Sequence, residues 1–150
     1  MGHTYTDILV HVVFSTKERR PIIVDSFRER LYEYMAGIAN NEFGRAIQIG
    51  GVADHVHGLL QVKTDVSVAD AMRKWKSLSS KWVNETLKLR TKFGWQEGYS
   101  AFSVSRSQAP RVQKYIVDQV EHHRKLSFQE EVLALLEKHG IAFDPKYLWD

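Results

Sequence analysis

The feature that most constrains the fold is the order in which two kinds of apolar pattern follow one another along the 150 residues. Short runs rich in β-branched residues predict strands. Longer stretches that place apolar residues three or four positions apart predict helices. The strand-like runs are Asp7 to Ser15, Ala46 to Val52, Val56 to Val62 and Ala101 to Ser105.

Two helical stretches lie between these runs. The first begins at an Asp25 or Ser26 cap and ends near Asn40, where asparagines and a following glycine interrupt the pattern. The second begins at a Ser67 or Asp65 cap and precedes an aromatic loop. The first three strands and the two helices therefore alternate as strand, helix, strand, strand, helix.

Two further helices are predicted after the last strand, one from Ser107 to about Lys125 with Pro110 in its first turn, and one from Phe128 to His139. The complete order, β-α-β-β-α-β followed by two helices, is typical of the ferredoxin-like α+β fold, an antiparallel sheet with helices on one face. We expect a single domain over residues 1–150, with the tail from Tyr147 to Trp149 docked onto it.

The composition excludes several classes of site. The chain has no cysteine, which excludes disulfides, thiolate nucleophiles and zinc–thiolate centres and fits a reducing cytoplasm. No apolar run approaches the roughly 20 residues that a membrane span requires, and the first residues contain no apolar signal core. We therefore expect a soluble, cytoplasmic protein with no membrane partner.

The third strand carries a pair of histidines, His55 and His57, on either side of Val56. Side chains alternate along a strand, so both imidazoles point to the same face and Val56 points to the other. Such a pair can hold one divalent ion if a third protein ligand comes from elsewhere. The alternative is two half-exposed histidines without a ligand.

The third helix carries a polar stripe. Tyr115, Gln119 and His122 are spaced by four and three residues, which places them on one side of the helix. A hydroxyl one turn from an amide and an imidazole suits a reactive site, whereas the alternative is a buried tyrosine with polar neighbours.

Together the two segments suggest phosphodiester chemistry. A tyrosine can attack phosphorus covalently, and a cation can stabilise the charge that develops on the phosphate oxygens. Either Mg²⁺ or Mn²⁺ could serve: histidine and amide ligands suit Mn²⁺ better, and cellular availability favours Mg²⁺.

The sequence resembles the His-hydrophobe-His (HUH) single-tyrosine transposases of the smallest insertion sequences, the TnpA-like family. His55-Val56-His57 resembles the family's metal-binding pair, and Tyr115-x-x-x-Gln119 resembles its nucleophile and third metal ligand. The match runs in order over nearly the whole chain, through V-F-S-T-K (Val13 to Lys17), G-x-x-D-H-V-H (Gly51 to His57), S-S-K-W (Ser79 to Trp82), W-Q-x-G-Y (Trp95 to Tyr99) and the closing Tyr147-Leu148-Trp149.

The resemblance implies that Tyr115 attacks a phosphate of single-stranded DNA, leaving a 5′-phosphotyrosine and a free 3′-hydroxyl, and that reversal onto another end rejoins strands. It also implies recognition of hairpin ends of an insertion sequence and a homodimer in which Tyr115 can act in trans. Gly58 departs from the family, whose members usually carry a larger aliphatic residue there. Because Gly58 faces away from the histidines, this departure bears on packing.

The remaining histidines and Asp54 receive other interpretations. We expect His11 to be a hydrogen-bonded core histidine and His123 to face solvent, while His122 could be an alternate ligand. Asp54 is interpreted as a turn residue rather than a ligand. Trp75 and Trp82 are interpreted as core, with stacking on unpaired bases as the alternative.

Basic residues cluster in the middle of the chain, although the net charge is only +3. Clustered positive charge suits a phosphate backbone, and a solvated helix face is the alternative. The residues that we expect to contact DNA are Lys17, Arg19, Arg20, Lys74, Arg106, Arg111 and Lys114.

Three other functions compete with a transposase. A non-catalytic or domesticated binder of single-stranded DNA hairpins would have no need of His55, His57, Tyr115 and Gln119 together. A replication initiator or relaxase of the HUH type is disfavoured by the short chain and single tyrosine in the motif. A metal-free regulatory domain of the ferredoxin-like fold is the remaining alternative.

Overall fold

Four antiparallel strands form one sheet in the computed structural model, which describes residues 2–149. The order across the sheet is β2-β3-β1-β4, so β1 and β3 are the two central strands and lie side by side. The ends of each predicted strand lie within two residues of the observed ends. The strands are β1 (Leu9–Ser15), β2 (Gly44–Val52), β3 (His55–Val62) and β4 (Ser100–Val104).

Five helices accompany the sheet in the described part of the chain. Ser67 caps the second helix by accepting a hydrogen bond from the Asp70 backbone, as predicted. None of the helices within residues 2–149 combines the length and apolarity of a membrane span. The helices are α1 (Asp25–Glu42), α2 (Val68–Thr86), α3 (Ala109–Val117), α4 (Gln119–His122) and α5 (Phe128–Lys138).

The two faces of the sheet are covered by different helices. Helices α1 and α2 pack on the face to which Phe14 and Val56 point. The C-terminal helices α3 and α5 cover the opposite face, where Leu59 and Val13 contact them. The architecture is the predicted α+β fold with its two additional C-terminal helices.

Gly58 lies under the indole of Trp75 on the α1 and α2 face. A Cβ atom built at Gly58 would lie 2.6 Å from Cη2 of Trp75, which is too close for two carbon atoms that are not bonded to each other. The larger residue usual in the resembling family would therefore displace Trp75. The interpretation of Trp75 as core is correct, because its side chain is fully buried and its indole N–H donates to the Met35 carbonyl.

The third predicted helix is interrupted, contrary to the continuous helix expected from Ser107 to about Lys125. It consists of α3 and α4, separated by Asp118 with φ −88° and ψ 19°. After this interruption, Nε2 of His123 lies 3.1 Å from Oε1 of Gln119, whereas the His122 ring packs on Tyr115.

Helix α5 begins with a capping box, in which Ser127 and Glu130 exchange side-chain to backbone hydrogen bonds. Its apolar residues Phe128, Val132 and Leu136 pack on Val13 and its neighbours in the sheet. The tail contributes Leu148 and Trp149 to this contact, as expected for docking, whereas Tyr147 is 60% exposed.

Candidate active site

His55 and His57 lie on the face of β3 that α3 and α5 cover. Strand alternation places both on this face, with Val56 in the core of the opposite face, as predicted. Their ring centroids are 5.2 Å apart, and both side chains are fully buried. The half-exposed alternative for this pair is therefore wrong.

Each histidine is held from behind through its Nδ1 atom. Oδ1 of Asp54 lies 2.7 Å from Nδ1 of His55, and Nε2 of His11 lies 2.8 Å from Nδ1 of His57. Asp54 is thus more than a turn residue, because it orients a histidine. His11 is the buried, hydrogen-bonded histidine that we expected. With Nδ1 engaged, both Nε2 atoms face the same point between the sheet and α5.

Gln119 reaches this point from the start of α4. Its Oε1 lies 3.0 Å from Nε2 of His55, and its Nε2 donates to Oε2 of Glu131 at 3.0 Å. Because a carboxylate can only accept from the amide N–H, this second bond determines which way the amide is oriented. The oxygen of Gln119 therefore faces the histidines.

Glu131 and His123 join the same cluster, although neither was among the predicted site residues. Oε1 of Glu131 lies 2.9 Å from Nε2 of His57, 3.3 Å from Nε2 of His55 and 3.0 Å from Nε2 of His123. The prediction that His123 faces solvent is wrong: its side chain is only 10% exposed. His123 is four residues after Gln119, a spacing that could have indicated a shared side of the helix. No local pattern indicates Glu131.

Tyr115 lies beside the histidines of its own chain. Its hydroxyl donates a short hydrogen bond to Oε2 of Glu131, and its ring centroid is 5.7 Å from that of His57. His122 packs against the Tyr115 ring, with centroids 4.5 Å apart, and is not one of the residues around the shared point. The structure thus brings the predicted nucleophile, histidine pair and Gln119 together within one chain.

Burial and neighbouring charges shift the pKa values of these groups in opposite directions. Burial lowers the pKa of His57 to about 4 and that of His11 to about 3. Burial also opposes a charge on His55, but the carboxylates of Asp54 and Glu131 outweigh it and raise the pKa of His55 to about 9. Burial, then the hydrogen bond to Glu131, raises the pKa of Tyr115.

The Glu131 carboxyl has the most strongly shifted pKa of the cluster. Burial would raise the pKa, but hydrogen bonds from His123, His55 and His57 hold it well below its usual range. Glu131 is therefore a carboxylate anion although it is only 1% exposed. A buried anion surrounded by imidazoles is the electrostatic setting in which a cation can be bound.

The donor set fits a divalent metal ion. The ligand atoms of His55, His57, His123 and Glu131 all lie within 4.8 Å of one another. Imidazole nitrogen and carboxylate oxygen are ligands of first-row divalent ions, and at least two of the imidazoles converge through Nε2. The cluster can therefore hold a divalent ion.

A cavity of about 400 Å³ opens beside Tyr115. Its lining includes His11, Arg111 and Lys138, so it presents positive charge next to the tyrosine. Of the residues expected to contact DNA, Arg111 lines this cavity and Lys114 is exposed on the same helix.

Several of the other basic residues expected to contact DNA have partners within the chain. Arg106 forms two hydrogen bonds of 2.7 Å with Asp7, and Arg20 pairs with Glu18. Lys74 lies 3.6 Å from Glu42. The remaining two are Arg19 and Lys17. The Arg19 guanidinium is 5.9 Å from the ring centroid of Trp149 in the tail. Lys17 is exposed and its backbone N–H donates to the Gly94 carbonyl in the aromatic loop.

A comparison with known protein families identifies the family to which the chain belongs. The model of the IS200-like transposase family matches residues 4–119, which include His55, His57, Tyr115 and Gln119. The chain belongs to the IS200-like transposase family. The resemblance to HUH single-tyrosine transposases is thereby confirmed, and the class of activity is DNA cleavage and strand transfer. The alternative of a regulatory domain from outside the transposases does not agree with this family.

Individual relatives agree with this assignment. The transposase is 27% identical over 129 residues to the transposases for insertion sequence element IS200 of Salmonella typhimurium and Salmonella typhi. The alignments cover 83% of this chain and 84% of each relative.

Two solved structures share the fold. A Deinococcus radiodurans R1 protein assigned as a transposase has a TM-score of 0.63 at 22% identity, over 79% of this chain and 96% of its own. A REP-associated tyrosine transposase bound to a REP hairpin has a TM-score of 0.57 at 13% identity, over 81% of this chain and 73% of its own.

Proposed function

We propose that this transposase cleaves and rejoins single-stranded DNA through a 5′-phosphotyrosine intermediate at Tyr115, acting on hairpin ends of an insertion sequence. The observation that carries the proposal is the contact of the Tyr115 hydroxyl with the cluster that contains His55, His57 and Gln119. Family membership supports the class of reaction.

The nucleophile is the phenolic oxygen of Tyr115. It forms a bond to phosphorus, and the bond between phosphorus and the 3′ oxygen of the preceding nucleotide breaks. The phenol gives up its proton on attack and the leaving 3′ oxygen takes one up, so a 3′-hydroxyl forms with no net change in protons. No external energy source is required, because the phosphotyrosine retains a phosphoester bond. Before the attack, the Tyr115 hydroxyl donates a hydrogen bond to Oε2 of Glu131, which orients it. Attack by another 3′-hydroxyl on the phosphotyrosine reverses these steps and joins the strands.

His55, His57 and Gln119 would hold Mg²⁺ or Mn²⁺. When bound, the ion supplies positive charge to the non-bridging oxygens of the scissile phosphate. The imidazole-rich surroundings favour Mn²⁺ over Mg²⁺, because nitrogen ligands bind manganese more readily than magnesium. Asp54 and His11 keep the two imidazoles oriented toward that point.

The DNA would approach through the cavity beside Tyr115. Arg111 lines this cavity and would position the backbone next to the nucleophile. Lys17, Arg19, Arg20, Lys74, Arg106 and Lys114 remain the further candidates for contacts to DNA. The solved neighbour bound to a REP hairpin supports a hairpin as the substrate.

Tyr115 is proposed to act within its own chain. Its hydroxyl reaches a carboxylate that touches both histidines of the same chain, so catalysis in cis requires no exchange of helices. The homodimer, with Tyr115 acting in trans, stays a prediction from the resemblance.

Formation of a covalent adduct tests the proposal. Native protein mixed with end-labelled hairpin DNA and Mn²⁺ or Mg²⁺ should give a protein–DNA band that survives denaturant. Tyr115→Phe should abolish the band, because it lacks the attacking oxygen. Tyr147→Phe is the matched control, since the Tyr147 side chain is 60% exposed.

The same assay identifies the competing function. If native protein shifts the labelled hairpin in a native gel but forms no adduct with either ion, the chain is a hairpin binder and the proposed reaction is wrong. If Tyr115→Phe forms the adduct as efficiently as native protein, the nucleophile is another residue.

A further inference from the structure

We propose that His123 and Glu131 are ligands of the same metal ion as His55 and His57, so that the C-terminal helix α5 is part of the metal centre. This inference rests on the proposed function in one respect: the ion is the one that the reaction uses. Neither residue lies within residues 4–119, which the family model matches.

The spacing of the ligand atoms supports a shared ion. Two ligands at right angles, each about 2.1 Å from an ion, lie roughly 3.0 Å apart. Oε1 of Glu131 lies 2.9, 3.0 and 3.3 Å from the Nε2 atoms of His57, His123 and His55. Oε1 of Gln119 lies 3.0 Å from Nε2 of His55 and 3.1 Å from Nε2 of His123. The new ligands therefore have the same spacing as the expected ones.

The atoms around Nε2 of His55 are those that a metal ion would take as ligands. The Asp54 carboxylate accepts from Nδ1 of His55, which leaves Nε2 as the nitrogen of this ring that faces the cluster. Oε1 of Gln119 lies 3.0 Å from this nitrogen, and Oε1 of Glu131 lies 3.3 Å from it. A metal ion would displace the proton from Nε2 and take all three atoms as ligands.

The burial of Glu131 distinguishes it from the other acids of α5. Glu131 is 1% exposed, whereas Glu130 and Glu137 on the same helix face solvent. An ionised carboxylate is costly to bury unless it is paired or coordinates a metal. Both of its oxygens are engaged, Oε1 with the imidazoles and Oε2 with Gln119 and Tyr115. A ligand role for Oε1 leaves Oε2 free to keep the Tyr115 hydroxyl in place.

Mn²⁺ binding to the full chain without DNA tests the inference, with electron paramagnetic resonance to measure the free ion. Glu131→Gln and His123→Ala should each weaken Mn²⁺ binding at least about tenfold. Glu137→Gln on the same helix and His122→Ala at the neighbouring position are the matched controls, and both should bind as native protein does. His57→Ala should also lose affinity, because His57 belongs to the ligand set of the proposed function.

Hydrogen exchange gives a second measurement that does not depend on one variant. Mn²⁺ should slow amide exchange throughout α5 in native protein, because the ion would join this helix to β3. The same addition should slow exchange in α5 far less in Glu131→Gln, because this variant lacks the one proposed ligand that α5 supplies.

The outcomes separate this inference from the proposed function. If Glu131→Gln and His123→Ala bind Mn²⁺ as tightly as native protein while His57→Ala does not, the inference is wrong and the proposed function stands. If both variants lose Mn²⁺ affinity but native protein never forms the Tyr115 adduct, the inference holds and the proposed reaction is wrong. Unchanged exchange in α5 of native protein on addition of saturating Mn²⁺ would also overturn the inference.

Discussion

The two faces of the central sheet come from the same strands and have opposite chemistry. On the face covered by α1 and α2, β1 and β3 present Val12, Phe14, Val56 and Leu60, all fully buried and apolar. Aromatic side chains complete this face, with Phe14 and Trp75 in an edge-to-face contact at 5.7 Å. This is ordinary close-packed core, and its stabilisation follows from the apolar area removed from water.

On the face covered by α3 and α5, the same two strands present three histidines beside the apolar residues Val13 and Leu59. His11, His55 and His57 are as buried as the core, and Gln119 and Glu131 join them from the helices. Polar groups held away from water oppose folding unless every one is paired. Apolar burial on one face therefore offsets the free-energy cost of burying a polar, reactive cluster on the other.

The largest expected effect comes from breaking the apolar face. Trp75→Ala should lower the free energy of unfolding by about 3–5 kcal/mol, because it leaves a large cavity and removes a hydrogen bond to the Met35 carbonyl. Urea denaturation measures this loss. Trp82→Ala is the control: Trp82 is partly exposed and stacks on Tyr34, so its loss should be smaller. Folded Trp75→Ala protein should keep native Mn²⁺ affinity, and a loss of that affinity would contradict the separation of the two faces.

A substitution on the polar face should weaken metal binding strongly and change the free energy of unfolding little. Asp54→Asn removes the carboxylate behind His55 and should weaken Mn²⁺ binding about 10- to 100-fold, because the imidazole loses the partner that orients it. Isothermal titration calorimetry measures this change. The free energy of unfolding without metal should fall far less than in Trp75→Ala. Native Mn²⁺ affinity in Asp54→Asn would show that the Asp54 contact does not support the metal site.

The smallest effect tests how closely the apolar face is packed. Gly58→Ala should lower the free energy of unfolding by about 1 kcal/mol, since one methyl group must displace the Trp75 ring. Gly37→Ala in α1 is the control of opposite sign, because a Cβ there meets nothing within 4 Å and alanine favours a helix. Thermal unfolding measures both changes: the melting temperature should fall in Gly58→Ala and rise in Gly37→Ala. A stabilised Gly58→Ala would mean that Trp75 moves without cost.

Local patterns predicted most of the fold and half of the site. Strand ends were correct to within two residues because β-branched runs and turn residues are local signals. The face shared by His55 and His57 followed from alternation alone. The third helix was predicted as continuous because its residues favour a helix throughout, whereas the structure interrupts it at Asp118. His123 is four residues from Gln119, a helical spacing compatible with the cluster, but its contact with Glu131 depends on the packing of α5 and has no local signal.

The sequence by itself determined the succession of strands and helices along the chain, and it determined the paired histidines, the tyrosine and its amide neighbour. Each of these depends on the residue pattern within one element. Only the tertiary structure decided that Glu131 enters the cluster, because its contact with His57 joins residues 74 positions apart on different elements. It also decided that Tyr115 lies beside the histidines of its own chain. Periodicity describes which way a side chain points from its own strand or helix, and the packing of elements decides what it meets there.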